Sequence, residues 1–195
     1  MKNKITLLII IFVFILLISG SYALYNHLSP NVSSDKITTH EDSQNENGNS
    51  QQEKSLAPDF TVYDKSGKEV SLSDFIGKPT IVNFWASWCG PCKMEMPDFE
   101  EKYQSLGEEI NFLMINMTDG SRETVKTASD FIEKEGFTFP VYYDEKSNAS
   151  ITYSVYSLPT TYFIDADGYA IAQSTGAIDS ETLQKGIDNN FSESQ

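Results

Sequence analysis

The chain has 195 residues, 28 acidic against 14 basic, and a formal net charge of −14. That length gives one domain of ordinary size plus extensions, and so acidic a chain lacks the basic face that nucleic acid requires. It has 2 Cys and 2 His, and both histidines, His27 and His40, precede residue 41. The later region therefore has no Ser-His-Asp or Cys-His catalysis and no His-rich metal site.

Residues 5–18 are almost wholly apolar, and no Asp, Glu, Lys or Arg occurs from Ile5 to Ser34. A spanning helix needs about 20 mostly apolar residues, and the uncharged stretch from Ile5 to Tyr25 is long enough. Lys2 and Lys4 precede it and hold the N-terminus in the cytoplasm; Tyr22 and Tyr25 sit where an interfacial aromatic belt would. Residues 1–25 thus read as a membrane anchor, with everything after them outside. The competing reading is a cleaved signal peptide, cut near Ser19-Gly20-Ser21 or Ser21-Tyr22-Ala23, which would leave a secreted protein. No Cys lies near the run, which excludes a lipoprotein anchor. Residues 26–55 are rich in Ser, Asn, Gln, Glu, Asp and Thr. They cannot bury enough apolar surface to offset their ordering entropy, so they read as a flexible tether, with His40 a bystander.

From residue 56 to 195 the composition is globular. Phe60 to Tyr63 and Glu69 to Leu72 flank Asp64-Lys65-Ser66-Gly67, a hairpin signal. Thr80-Ile81-Val82-Asn83-Phe84-Trp85 fits a buried central strand. A helix follows from Cys89 to Leu106, kinked at Pro97, with Met96, Phe99, Tyr103 and Leu106 along one side. Ile110 to Ile115 reads as a second buried strand. The 122–134 stretch reads as an amphipathic helix with Val125, Ala128, Phe131 and Ile132 inward and Gly136 as its stop. Then come a strand over 139–143, a short helix over 147–153 and a strand over Thr160 to Ile164. A turn at Asp165-Ala166-Asp167-Gly168 leads to an antiparallel return over 169–174, and a closing helix spans 180–189. The order predicts an α/β sandwich around a mixed sheet.

The reactive side chains sit in Trp85-Ala86-Ser87-Trp88-Cys89-Gly90-Pro91-Cys92. Two cysteines at this spacing on a helix start can form a disulfide across one turn. The first meets the unpaired N–H groups and positive end of the helix, which favour a thiolate. The second, one turn in, can resolve a mixed disulfide. Gly90-Pro91 suits a tight helix entry. Zinc would need four ligands, and covalent haem would need His where Lys93 stands. A purely structural disulfide would constrain the unfolded chain little across so short a loop.

This octapeptide, followed by Met96-Pro97 and later by Leu158-Pro159-Thr160-Thr161-Tyr162-Phe163-Ile164-Asp165, resembles the thioredoxin superfamily. More narrowly, with Ala57-Pro58-Asp59-Phe60 and the 72–79 loop, it is similar to the membrane-anchored, extracytoplasmic TlpA/ResA-like thiol-disulfide oxidoreductases. The resemblance covers about residues 55–190. It implies a thioredoxin-like fold, a central mixed sheet flanked by helices, with an N-terminal β-hairpin extension. It implies Cys89 as the attacking thiol and Cys92 as the resolving one. It also implies a substrate groove formed by Trp88, Gly90, Pro91, Leu158 and Pro159, where Pro159 is cis and Leu158 offers backbone groups to an extended segment. Ordinary thioredoxin carries a buried Asp where this chain has Asn83; the TlpA/ResA-like group instead uses a Glu three residues after the second Cys, here Glu95. A buried Glu95 of raised pKa would exchange a proton with Cys92.

The implied reaction is dithiol–disulfide exchange with disulfide-containing exported proteins. No dinucleotide-binding glycine pattern or P-loop is present, so no cofactor is expected. Electrons would come from a CcdA- or DsbD-like membrane protein, to a monomer held at a bacterial cell membrane. Reduction is the first reading, because Cys-Gly-Pro-Cys looks like reducing thioredoxins; a disulfide-forming oxidant is the alternative. A peroxiredoxin-like peroxide reductase fits less well: Ala86 stands where those enzymes place Thr, and Arg122 is the sole Arg.

Overall fold

A computed structural model describes residues 37–38 and 55–191. They fall within the larger of two units of the chain, Lys36–Gln195. The anchor expected over residues 1–25 and most of the tether expected over 26–55 lie outside the described residues. In chain order come β1 (Ile37–Thr38), β2 (Ser55–Leu56), β3 (Thr61–Tyr63), β4 (Glu69–Ser71) and a 3-10 turn (Leu72–Phe75). Then follow β5 (Thr80–Trp85), α1 (Gly90–Leu106), β6 (Asn111–Asn116), α2 (Val125–Glu135), β7 (Val141–Tyr143) and α3 (Asn148–Thr152). The chain closes with β8 (Thr160–Ile164), β9 (Tyr169–Thr175) and α4 (Ser180–Phe191).

The strands make one mixed sheet in the order β1-β9-β8-β5-β6-β7-β3-β4, with β2 also paired to β9. β5 runs parallel to β6 and antiparallel to β8, and β6 runs parallel to β7. The β3–β4 hairpin joins the far edge through Tyr63 opposite Tyr143. Its turn forms because the Asp64 carboxylate accepts N–H bonds from Ser66 and Lys68, while Gly67 takes φ 82°, open to glycine without a Cβ clash. Ile37–Thr38, inside the stretch read as tether, pairs antiparallel with Ser174 and Gln173 of β9.

Strand parity divides the interior. Ile81 and Trp85 of β5, Phe112 and Met114 of β6 and Phe163 of β8 face one way. They meet Met96 and Phe99 of α1, Ala128 of α2, and Leu183 and Ile187 of α4. Val82, Phe84, Leu113, Ile115, Tyr162 and Ile164 face the other way, toward Phe60, Val62, Leu72 and Tyr153. The same parity puts Asn83 and Thr161 on the α1 side, fully buried among apolar neighbours. β5 is buried along its whole length, as a charge-free run flanked by strands on both edges should be.

Most boundaries shift by one or two residues from those read in the sequence, and three of the differences have a clear local reason. The second long helix begins at Val125 rather than residue 122, because Thr124 caps it by accepting the Thr127 N–H at 3.1 Å, and Arg122 and Glu123 are engaged elsewhere. The strand expected from residue 139 begins at Val141, after Pro140, which has no N–H to donate to a ladder. Cys89 is the N-cap of α1 rather than its first residue, and the helix then continues across Pro97 to Leu106.

Candidate active site

β5 ends at Trp85, and the chain turns through Ala86-Ser87-Trp88 into α1. Cys89 has extended backbone angles, and Pro91 occupies the first turn, where its missing N–H costs nothing. The Cys89 sulfur accepts the Cys92 backbone N–H at 3.1 Å. Cys89 and Cys92 are joined as a disulfide. Cys89 is 4% exposed and Cys92 0%, so what little of the pair meets solvent belongs to Cys89. On reduction that sulfur stays at the positive end of the helix beside a backbone donor, an arrangement that favours thiolate over thiol.

One turn further along α1, Glu95 is 2% exposed. One carboxylate oxygen accepts from the Asn83 side-chain amide at 2.8 Å, and the other accepts from the Ile178 backbone N–H at 2.9 Å. The Asn83 amide also donates to the Thr161 hydroxyl at 3.0 Å. Glu95 is thus a buried carboxyl one helical turn beyond Cys92, held by donors from β5 and from the chain before α4. Asn83 Oδ1 has no hydrogen-bond partner among the described residues.

Outside Cys89 lies an open groove of about 580 Å³, lined by Trp88, Cys89, Gly90, Pro91, Met117, Asp119, Arg122, Val155, Tyr156, Ser157 and Leu158. The Leu158–Pro159 peptide bond is cis. The structure therefore gathers five of the sequence-predicted residues, Trp88, Cys89, Gly90, Pro91 and Leu158, around one cavity. Pro159 is buried and does not line it. Cys92 and Glu95 are buried along the same helix. Trp88 remains 42% exposed and Tyr156 93%, a large apolar area for a protein surface beside a reactive sulfur.

The sequence reading did not single out Glu123. It is 0% exposed. One oxygen accepts from the Ser87 N–H at 3.0 Å and the Asn116 side-chain amide at 2.8 Å; the other accepts from the Ser87 hydroxyl at 2.7 Å. Glu123 thereby ties the loop before Cys89 to the end of β6. Asp119 shapes the same segment by accepting the Ser121 and Glu123 N–H groups. Those bonds, the Glu123 one foremost, together with the Arg122 charge hold its carboxyl below the usual value. The Arg122 guanidinium stacks 3.7 Å above the Trp88 ring. In the sequence, Arg122 and Glu123 look like the solvated first turn of a helix, which is why their roles were hidden. Among the described residues, no group of three or more His, Cys, Asp or Glu is placed to hold a metal ion.

With this geometry in place, the AhpC/TSA family pattern matches residues 54–172. The chain belongs to the AhpC/TSA family. This AhpC/TSA member is 38% identical over 132 residues to the thiol-disulfide oxidoreductase ResA of Bacillus thuringiensis subsp. konkukian (strain 97-27), covering 66% of this chain and 73% of that one. Its fold is similar to that of StoA from Bacillus subtilis, with TM-score 0.59, 26% identity, and coverage of 68% of this chain and 98% of that one. It is similar also to the exposed lipoprotein thioredoxin of Streptococcus pneumoniae strain TIGR4, with TM-score 0.57, 28% identity, and coverage of 68% and 99%. The thioredoxin-like α/β fold read from the sequence holds, and the AhpC/TSA member is a thiol-disulfide oxidoreductase of the ResA and StoA type.

Proposed function

We propose that the protein is an extracytoplasmic reductase of disulfides in exported proteins. The observation that carries this reading is the Cys89 sulfur, capped by the Cys92 N–H at a helix N-terminus and opening on a groove, with Cys92 buried behind it. The Cys89 thiolate attacks one sulfur of a substrate disulfide. That S–S bond breaks, and the second substrate sulfur leaves as a thiolate and takes a proton. Cys92 then attacks Cys89 in the mixed disulfide, Glu95 receiving the Cys92 proton, and the first substrate sulfur leaves. Two electrons pass to the substrate, and the Cys89–Cys92 disulfide remains. Trp88, Gly90, Pro91 and Leu158 receive the substrate segment, with the cis Pro159 fixing the path of Leu158. A CcdA- or DsbD-like dithiol in the membrane returns the two electrons, and no further cofactor takes part. Residues 1–25 hold the protein, as a monomer, to the outer face of a bacterial cell membrane, and residues 26–55 tether the domain.

Two features support the reading. The charge pattern around Ile5 to Tyr25 orients the domain outward, and the similar pneumococcal thioredoxin is described as an exposed lipoprotein. The direction of electron flow is tested by equilibrating the protein with thiol–disulfide buffers. A potential near ~−270 mV is expected for a reductase; a value near ~−120 mV would instead make it a disulfide-forming oxidant.

Glu95→Gln tests the proton step. The glutamine is close in shape to the glutamate and keeps one oxygen to accept from the Asn83 amide or the Ile178 N–H. The variant should fold and slow disulfide exchange by about 10²-fold, the lower range for a lost acid–base group. It should also change the pH dependence of the thiols. Unaltered rate and thiol titration would remove Glu95 from the mechanism.

A further inference from the structure

Arg122 is the only arginine in a chain of net charge −14. It lies on the segment that leads into α2, beside Glu123, whose carboxylate is fastened to Ser87 and Asn116. That anchorage holds the segment against the active-site loop. The Arg122 guanidinium lies flat on exposed Trp88 at 3.7 Å and lines the groove that opens on Cys89. Stacking uses the face of the guanidinium and leaves its N–H edge directed outward from the ring. Among the described residues, no carboxylate lies within ion-pair distance of it, in contrast to Lys126, Lys134 and Lys146, which pair with Asp130, Glu135 and Glu69. A planar fork of donors thus lines the same groove as Cys89, with no ion pair to its in-plane edge.

The other charges around the groove narrow what this fork can bind. Asp119 lines the groove too and feels the Arg122 charge, so an incoming acid must compete with it; one of its oxygens is taken by the Ser121 and Glu123 N–H groups. Lys93, on the first turn of α1, lies over the Phe131 ring and does not line the groove. Arg122 is therefore the groove's one cation, on a protein whose overall field repels acids.

We infer that Arg122 is a specificity-determining residue that selects substrate disulfides flanked by an acidic side chain. An Asp or Glu within two positions of the attacked cysteine would pair edge-on with the guanidinium while the neighbouring chain covers Trp88 and Tyr156. The substrate class is accordingly exported proteins with Asp or Glu beside the disulfide. This rests on the reductase reading above, and the chemical step is unchanged by it.

The test uses the protein reduced with dithiothreitol and freed of it. It reacts in single turnovers with disulfide peptides whose cysteines are flanked by Glu, Ala or Lys, at 0.15 M salt. The wild type should reduce the Glu-flanked peptide about threefold faster than the Ala-flanked one, as an exposed charge pair yields. Arg122→Gln should erase that preference, Arg122→Glu should turn it toward the Lys-flanked peptide, and Lys93→Gln should leave it. The long-range field of the acidic domain works against the Glu-flanked peptide, so such a preference requires a local cation. Equal rates with the Glu- and Ala-flanked peptides, or a preference that survives Arg122→Gln, overturns the inference alone. Failure of the wild type to reduce the Ala-flanked peptide overturns the reductase reading and the inference with it.

Discussion

Cys92→Ala is expected to stop multiple turnover while leaving the first attack intact, so that the reduced variant collects substrate as a mixed disulfide on Cys89. The two sulfurs occupy unlike surroundings. Cys89 caps α1, where the helix end and the Cys92 N–H would favour negative charge on its sulfur once reduced. Cys92 is wholly buried, so a substrate in solution should not reach it before a sulfur has been delivered to Cys89. Removing Cys92 therefore removes the escape from the covalent intermediate and nothing before it. Insulin reduction by the variant should fall to the rate that dithiothreitol gives alone, and non-reducing gels with mass analysis should show the adduct. Cys89→Ser should give the same loss of turnover and no adduct. Adduct on Cys92 in Cys89→Ser, and none in Cys92→Ala, would exchange the two roles.

The parts of this site that could be read in the sequence are those set by neighbours along the chain. The capping position of Cys89, the entry at Gly90-Pro91 and the burial of β5 follow from spacing and from an uninterrupted apolar run. The pairing of Asn83 with Glu95 was half legible. Both residues stood out by position, yet the partners that complete the site, the Thr161 hydroxyl that accepts from Asn83 and the Ile178 N–H that donates to Glu95, lie 78 and 83 residues away. No local pattern encodes such contacts. Glu123 was hidden for another reason. An acidic residue preceding an amphipathic run is favoured by the helix dipole, so its sequence context already accounted for it. The structure instead sends its carboxylate inward to Ser87, and α2 starts two residues later at Val125. That contact also places Arg122 over Trp88, so one buried carboxylate organises both the loop before Cys89 and one wall of the groove.

Glu123→Ala tests that organisation. Three donors, the Ser87 N–H, the Ser87 hydroxyl and the Asn116 amide, converge on this carboxylate at 2.7 to 3.0 Å inside the protein. A buried donor left unpaired costs about 1–3 kcal/mol. The hydroxyl can rotate to another partner, but the peptide N–H and the amide are held by β5's exit and by β6. The expected loss is about 3 kcal/mol, seen as a fall in melting temperature of roughly 10 °C for a domain of this size. Glu123→Gln separates shape from charge. Its oxygen can still accept from the Ser87 N–H and Asn116, and its amide can donate to the Ser87 oxygen, whose hydroxyl turns to suit. That variant should keep its melting temperature to within ~1 kcal/mol of equivalent stability. If the carboxylate is only a fastening, Glu123→Gln should also preserve the exchange rate, while Glu123→Ala should lose rate even well below its melting point, because Ser87 lies two residues before Cys89. Wild-type melting in Glu123→Ala would mean that water can enter and replace the carboxylate, and that the loop before Cys89 is held by the α1 cap and β5 alone.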